Sequence, residues 1–159
     1  MEKQFTTTVY IIKEDTVLLI FHRKLKKWLP PGGHIDPNET PPYAAIREAL
    51  EETGLEIEII PQENIWVERF NATSFLRPYL CLLEEIPEHN GIAKHQHMDF
   101  VYLGRQIGGS LIQNKLEIED IKWFTQEEVT FLESDVDIFL DTKQIIKKIL
   151  NEHLVKINE

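Results

Sequence analysis

The sequence predicts an α/β (α+β) fold, with a central mixed sheet held between helices. Three observations carry that expectation. Strand-like segments stand on both sides of a helical stretch at residues 41–53, residues 16–22 (TVLLIFH) read as a well-buried strand, and residues 141–157 show the apolar spacing of an amphipathic helix. At 159 residues the chain is most simply one domain, residues 1–159, large enough to bury a core without staples.

In order, residues 6–12 are rich in β-branched and aromatic side chains and read as a strand. Glu14-Asp15 reads as a hairpin turn leading into the second strand. Arg23, Lys24, Lys26 and Lys27 follow, the densest basic stretch in an otherwise acidic chain. Such a stretch is either a solvated loop or, at Arg23 or a lysine such as Lys24, a face for anionic groups. Trp28-Leu29-Pro30-Pro31 stiffens the approach to Gly32-Gly33, where backbone can come close to a ligand. Asp36, Pro37 and Asn38 favour turns. Thr40 is then a helix N-cap and Pro41 sits at the first helical position, where its missing N–H costs nothing. Gly54 is the expected left-handed stop.

Beyond that helix, residues 55–60 (LEIEII) alternate as a half-exposed strand, and residues 62–74 read as strand, loop and strand. Residues 77–83 (RPYLCLL) read as a buried strand, which makes Cys81 a reduced, buried thiol. Residues 87–91 read as a turn and residues 94–103 as a strand that sets His95, His97 and Asp99 on one face. That face is either a polar sheet surface, the wall of a cleft touching a substrate, or part of a transition-metal site. The spacing offers no closing fourth ligand, so no zinc site is assigned. Residues 104–110 carry three glycines and read as a flexible connection, and residues 114–120 are acidic. Residues 121–124 form a short strand, Thr125 to Glu128 match a capping box, and Ile145, Ile146, Ile149, Leu150 and Leu154 line the last helix.

The helix at residues 41–53 carries an unusual load. Glu48, Glu51 and Glu52 stand at i, i+3 and i+4, so their carboxylates converge near the C-terminal end, where the helix dipole disfavours anions. Stability alone would not select that arrangement. Clustered carboxylates on a rigid element suit a hard cation such as Mg²⁺ or Mn²⁺, which brings phosphate oxygens with it. Arg47 stands beside them, with Glu39 as its candidate partner. Ala44, Ala45, Ala49 and Leu50 make the opposite, apolar face.

Residues 33–55 (GHIDPNETPPYAAIREALEETGL) resemble the Nudix box, GX5EX7REUXEEXGU, with Gly33, Glu39, Arg47, Glu48, Glu51, Glu52, Gly54 and Leu55 on its fixed positions. Ala49 departs from it, at a place usually filled by a larger aliphatic. The resemblance implies a Nudix-like α/β/α sandwich and hydrolysis of the diphosphate bond in a nucleoside diphosphate linked to another group, such as an NTP or an ADP-ribose-like compound. It implies Mg²⁺ or Mn²⁺ as cofactor, with Gly33 offering its carbonyl and Glu48, Glu51 and Glu52 their carboxylates. It also implies that Glu39 supports the box through Arg47, and that Glu51 either holds a second ion or acts on water. Family members differ in the general base; Glu117 is spaced ahead of Trp123 as a later acid often is, with Glu51, Glu119 and Asp120 as rivals. Arg23, Lys24 and His97 are the substrate-binding candidates, and Trp28, Phe75 and Tyr79 the aromatic ones for stacking, though aromatics of this kind are more often core.

Composition bounds the partners. A formal net charge of −10 argues against a DNA-binding surface and against attraction to anionic lipid. The partner is then a nucleotide-type small molecule, and a homodimer stays open. With one cysteine there is no intramolecular disulfide, and no signal-peptide pattern or membrane-length apolar run occurs, so the expected location is cytoplasmic. Two other classes share the fold that the resemblance implies: a non-catalytic nucleotide-sensing domain, which would tolerate a broken box, and an isomerase of the isopentenyl diphosphate type, which would need a cysteine in a cleft loop.

Overall fold

A computed structural model describes residues 1–112 and 116–158. The strands are β1 (Lys3–Lys13), β2 (Thr16–His22), β3 (Lys27–Leu29), β4 (Gly32–His34), β5 (Leu55–Ile59), β6 (Glu68–Arg69), β7 (Ala72–Thr73), β8 (Leu80–Ile86), β9 (His95–Gly109) and β10 (Ile118–Thr125). The helices are α1 (Pro41–Thr53), α2 (Gln126–Phe131) and α3 (Leu140–Asn158). The main sheet runs β10-β2-β1-β9-β5, with β3 on β2, β4 on β1 and β8 on β9. Only β1 and β9 run parallel among these pairs, so the sheet is mixed.

Alternation along β1 sorts the core. Val9 and Ile11 join Ala45 and Ala49 of α1 together with Leu18, Leu55, Ile57, Ile59 and Tyr102. Tyr10 and Ile12 turn the other way and meet Ile146, Ile149 and Leu150 of α3 and Val129 of α2. A period of two on the strand therefore feeds two apolar layers, and the expected α/β/α sandwich is what forms. Full burial of a side chain such as Ile11 or Ile149 is worth roughly 1.5–3 kcal/mol each.

Local signals worked where chemistry was local. Thr40 is extended and Pro41 opens α1, but the Thr40 side chain makes no capping bond; Gly54 closes the helix at φ 78°. Thr125 and Glu128 form both bonds of the capping box at α2. Glu14 takes a positive φ of 55° in the β1–β2 turn.

Three expectations are corrected. Cys81 is exposed, because β8 pairs only with β9 and lies at the sheet edge with alternating burial. Leu50 is also exposed, lying outside the face that α1 buries. The glycine-rich stretch after Leu103 is not a loose connection but the second half of β9, paired with β5. Gly104 lies there because a Cβ would come within 2.9 Å of Ile57 and 3.1 Å of Val9. Of the acidic stretch at residues 114–120, the first two residues lie outside the described ones; β10 then starts at Ile118, earlier than expected. Among the described residues no helix is long and apolar enough to cross a membrane.

Candidate active site

The short strand β4 fixes the loop in front of α1. Gly32 and Gly33 pair with Thr8 and Thr7 of β1. A Cβ on Gly32 would lie 2.3 Å from the Thr7 carbonyl oxygen, so only glycine lets these backbones come this close. A Cβ on Gly33 would instead lie 2.4 Å from Glu48 Oε1. Gly33 is thus a cradle for the Glu48 carboxylate. One turn further along α1, Glu52 Oε1 accepts a hydrogen bond from Gly32 N–H at 2.8 Å. The i, i+4 spacing brings both carboxylates onto the same glycine pair. Glu51 stands at the rim with its side chain 57% exposed.

Arg47 ties the loop to the helix. Its Nε and Nη2 donate to the two Glu39 oxygens at 2.8 and 2.9 Å, a bidentate fork. Nη1 donates to Glu48 Oε1 at 3.0 Å and Glu51 Oε2 at 3.1 Å, and Nη2 also donates to the His34 carbonyl at 3.1 Å. Glu39 in turn accepts from Asp36 N–H at 2.8 Å, closing the turn that precedes the helix.

The electrostatics follow from burial. The Arg47 hydrogen bonds hold Glu39 below the usual carboxylate range. At Glu48, burial raises the carboxyl despite Arg47. Glu52 is pushed up to about 8, first by burial and then by the charges of Glu48, Glu117 and Glu51, against the lowering effect of Gly32 N–H. Oxygen donors with mutual repulsion and too little countercharge are a donor set for a hard divalent ion. Among the described residues, no three His, Cys, Asp or Glu side chains already meet at metal-ligating geometry. Glu48 and Glu51 hold Arg47, and Glu52 holds Gly32 N–H; the residues fit the ion in donor type, and their carboxylates are engaged with these partners.

The remaining candidates divide. Glu117 lies in the turn before β10; its carbonyl accepts from Arg23 N–H at 2.7 Å, and its charge acts on Glu52. Glu119 points to the basic stretch, pairing with Lys26 and, at 3.7 Å, with Arg23. Asp120 turns back to accept from Ile121 N–H. Lys24 is exposed in the same turn as Arg23. Trp28 packs edge-on between Phe21 and Phe124, and Tyr79 donates its O–H to Glu152, so of the three aromatic candidates Phe75 alone is exposed.

The face shared by His95, His97 and Asp99 also divides. Asp99 is buried and accepts from Thr6 Oγ1 at 3.0 Å and Thr8 Oγ1 at 2.7 Å. The two histidines meet each other, Nε2 to Nε2 at 3.2 Å. His34 from β4 and His89 from the turn before β9 join them, with ring centroids 5.2 Å from His97 and 6.4 Å from His95 respectively. Sequence reasoning missed His34 and His89, because the β1–β4 and β1–β9 pairings bring His34 there and the β8–β9 pairing brings His89. Burial first, then the neighbouring imidazoles of His34, His95 and His89, pushes His97 down to about 4.

Comparison with known proteins finds relatives that match most of the chain. A probable DHNTP pyrophosphohydrolase of Lactococcus lactis is 31% identical over 126 residues, 78% of this chain and 64% of the relative. The mouse asymmetrical bis(5'-nucleosyl)-tetraphosphatase is 29% identical over 109 residues, 66% of this chain and 71% of the relative. The match to the first of these thus spans just under two thirds of that protein's length. The crystal structure of a NUDIX-family hydrolase from Clostridium perfringens superposes with a TM-score of 0.76 at 28% identity, covering 95% of this chain and 98% of that one. The family model described as NUDIX domain matches residues 2–143, and the chain belongs to that family.

Proposed function

We propose that this chain is a pyrophosphohydrolase that cleaves the diphosphate bond of a nucleoside diphosphate linked to another group, using Mg²⁺ or Mn²⁺. The observation that carries the reading is the placement of Glu48 and Glu52 against the Gly32-Gly33 pair, with Arg47 bracing the loop in front. The names of the relatives, a pyrophosphohydrolase and a nucleosyl tetraphosphatase, support a nucleotide-type substrate.

In this reading Glu48 and Glu52, with Glu51 and the Gly33 carbonyl, hold the ion. Bound there, a divalent ion supplies neutralisation of diphosphate charge and acidifies water. Arg47 and Glu39 are positioning residues: they fix the angle at which the loop and the helix present their oxygens. Glu117, beside Glu52 yet outside the helix, takes the proton of the attacking water. Arg23, whose N–H bonds the Glu117 carbonyl, and Lys24 next to it draw the phosphates of an anionic substrate toward an acidic protein. The domain acts as one unit over residues 1–159 in the cytoplasm.

A panel of nucleoside triphosphates, nucleotide sugars and dinucleoside polyphosphates, assayed with Mg²⁺ or Mn²⁺ in ¹⁸O water, tests this. Label should appear in a phosphate product of at least one substrate and vanish in Glu52→Gln. No turnover of any diphosphate with either ion would overturn the reading.

A further inference from the structure

Four of the six histidines gather at one end of the sheet and differ from the box carboxylates in donor type. Their hydrogen bonds fix which nitrogens carry protons. His95 Nδ1 lies 3.0 Å from the Ala93 carbonyl and His89 Nδ1 2.9 Å from the Pro87 carbonyl. A carbonyl only accepts, so both rings are protonated at Nδ1 and present a bare Nε2. This is the backbone support commonly found behind metal-ligating histidines. Gln4 donates its amide to Glu2, which turns its carbonyl oxygen to His34 Nε2 at 2.8 Å. His34 therefore keeps its own lone pair at Nδ1.

The spacing fits as well. Two nitrogens bound to one tetrahedral ion at about 2.0–2.1 Å stand about 3.3 Å apart. His95 Nε2 accepts a hydrogen bond from His97 Nε2–H at 3.2 Å, so an ion that displaced this proton would meet two nitrogens at that spacing. His95 is 6% exposed, and among the described residues no third His, Cys, Asp or Glu yet stands at ligating distance. Glu84 stands directly across the ladder from His97, so a carboxyl group lies on the strand next to the place where a cation would lie. Asp99 is held by Thr6 and Thr8, one hydroxyl on each oxygen, and is not needed to complete the set.

We propose that His89, His95 and His97, closed by His34, form a second metal site, selective for a borderline ion such as Zn²⁺ over Mg²⁺. Imidazole donors suit Zn²⁺, Co²⁺ and Ni²⁺, whereas the box offers oxygens and suits hard ions. His95 and His97 supply the paired nitrogens; His89 reaches the ion by reorienting its turn, where Asn90 and Gly91 already take positive φ. The ion would join β4, the turn before β9 and β9 itself; β4 and β9 both pair with β1, and the turn closes the β8–β9 hairpin.

The test uses the whole chain with Co²⁺ as a spectroscopic probe and Zn²⁺ in calorimetry. To remove the box ligands, the titration is done in Glu48→Gln/Glu52→Gln. One equivalent should still bind at micromolar or tighter affinity, with the visible absorption of nitrogen-ligated Co²⁺, and millimolar Mg²⁺ should not displace it. His97→Asn should weaken binding by at least 100-fold. His89→Asn, in an exposed turn, should weaken it by at least 10-fold while leaving the melting temperature in EDTA unchanged. The inference is overturned if the box variant binds no Co²⁺, or if both histidine variants bind it as tightly as their parent. Because the readout is binding in a box-deficient protein, failure here leaves the hydrolase reading untouched.

Discussion

Gly33 and Glu48 are bound by a steric relation: a Cβ at residue 33 would stand 2.4 Å from Glu48 Oε1 and 2.7 Å from its carboxyl carbon. The neighbouring glycine obeys a different constraint. At residue 32 the same added carbon would strike the Thr7 backbone, which has no freedom to retreat. One glycine serves the carboxylate and the other serves the sheet.

Gly33→Ala should therefore lose activity while keeping its fold, since the end of the Glu48 side chain can swing away. Gly32→Ala should be the less stable of the two, by about 1–3 kcal/mol, the usual cost of forcing a backbone shift in a packed interior. Thermal melts and rates of the two variants check this; equal stability with equal activity would sink it.

Glu52 gives a pH prediction with a definite sign. Its carboxyl is raised from the ordinary 4.5 to about 8, so the folded chain holds this proton more tightly than the unfolded one. That contribution to stability is complete below pH 4.5 and is lost as pH rises through about 8. In EDTA, melting temperature should fall more steeply across this window than in Glu52→Gln. Adding Mg²⁺ should reverse the trend, contributing about 2.7 kcal/mol at a hundredfold excess over its dissociation constant. Parallel pH profiles for the two proteins in EDTA would refute the assignment.

Activity should be abolished when metal is stripped with EDTA and should return with Mg²⁺ or Mn²⁺. In Glu52→Gln extra Mg²⁺ should restore little, because one anionic ligand is gone. Substantial turnover in excess EDTA would remove the metal from the mechanism.

Glu117→Gln should leave Mn²⁺ binding nearly intact and cost about 10²–10⁴-fold in rate, the span of a positioned acid–base group, with the acidic limb of the pH–rate profile flattened. Glu119→Gln should do far less to the rate, since Glu119 is occupied by Lys26 and Arg23. A near wild-type rate in Glu117→Gln would return the role of base to Glu51.

Arg47→Lys keeps the charge but loses the fork that grips both Glu39 oxygens while reaching Glu48 and Glu51. Metal affinity should drop about 10–100-fold, as for other residues that orient ligands. Binding of Mn²⁺, followed by relaxation or calorimetry, measures it, and an unchanged affinity would show that Arg47 supports the fold alone.

The sequence by itself determined what is contiguous. The glycine pair, Glu39, Arg47 and the three glutamates follow one another along a short strand, a loop and one helix, so helical spacing and turn chemistry were enough to group them. The order of strands and helices, the Thr125–Glu128 capping box and the buried face of α3 were legible for the same reason. Tertiary structure decided whatever depends on distant partners. It exposed Cys81 by putting β8 at an edge, turned the glycines after Leu103 into strand by pairing them with β5, and assigned Glu119 to the basic turn while leaving Glu117 beside Glu52. It also brought His34 and His89 to His95 and His97, the closing partners that strand alternation could not supply. Burial and through-space charge arise only once the chain has packed, and so neither the raised carboxyl of Glu52 nor the neutral imidazole of His97 could be read from spacing.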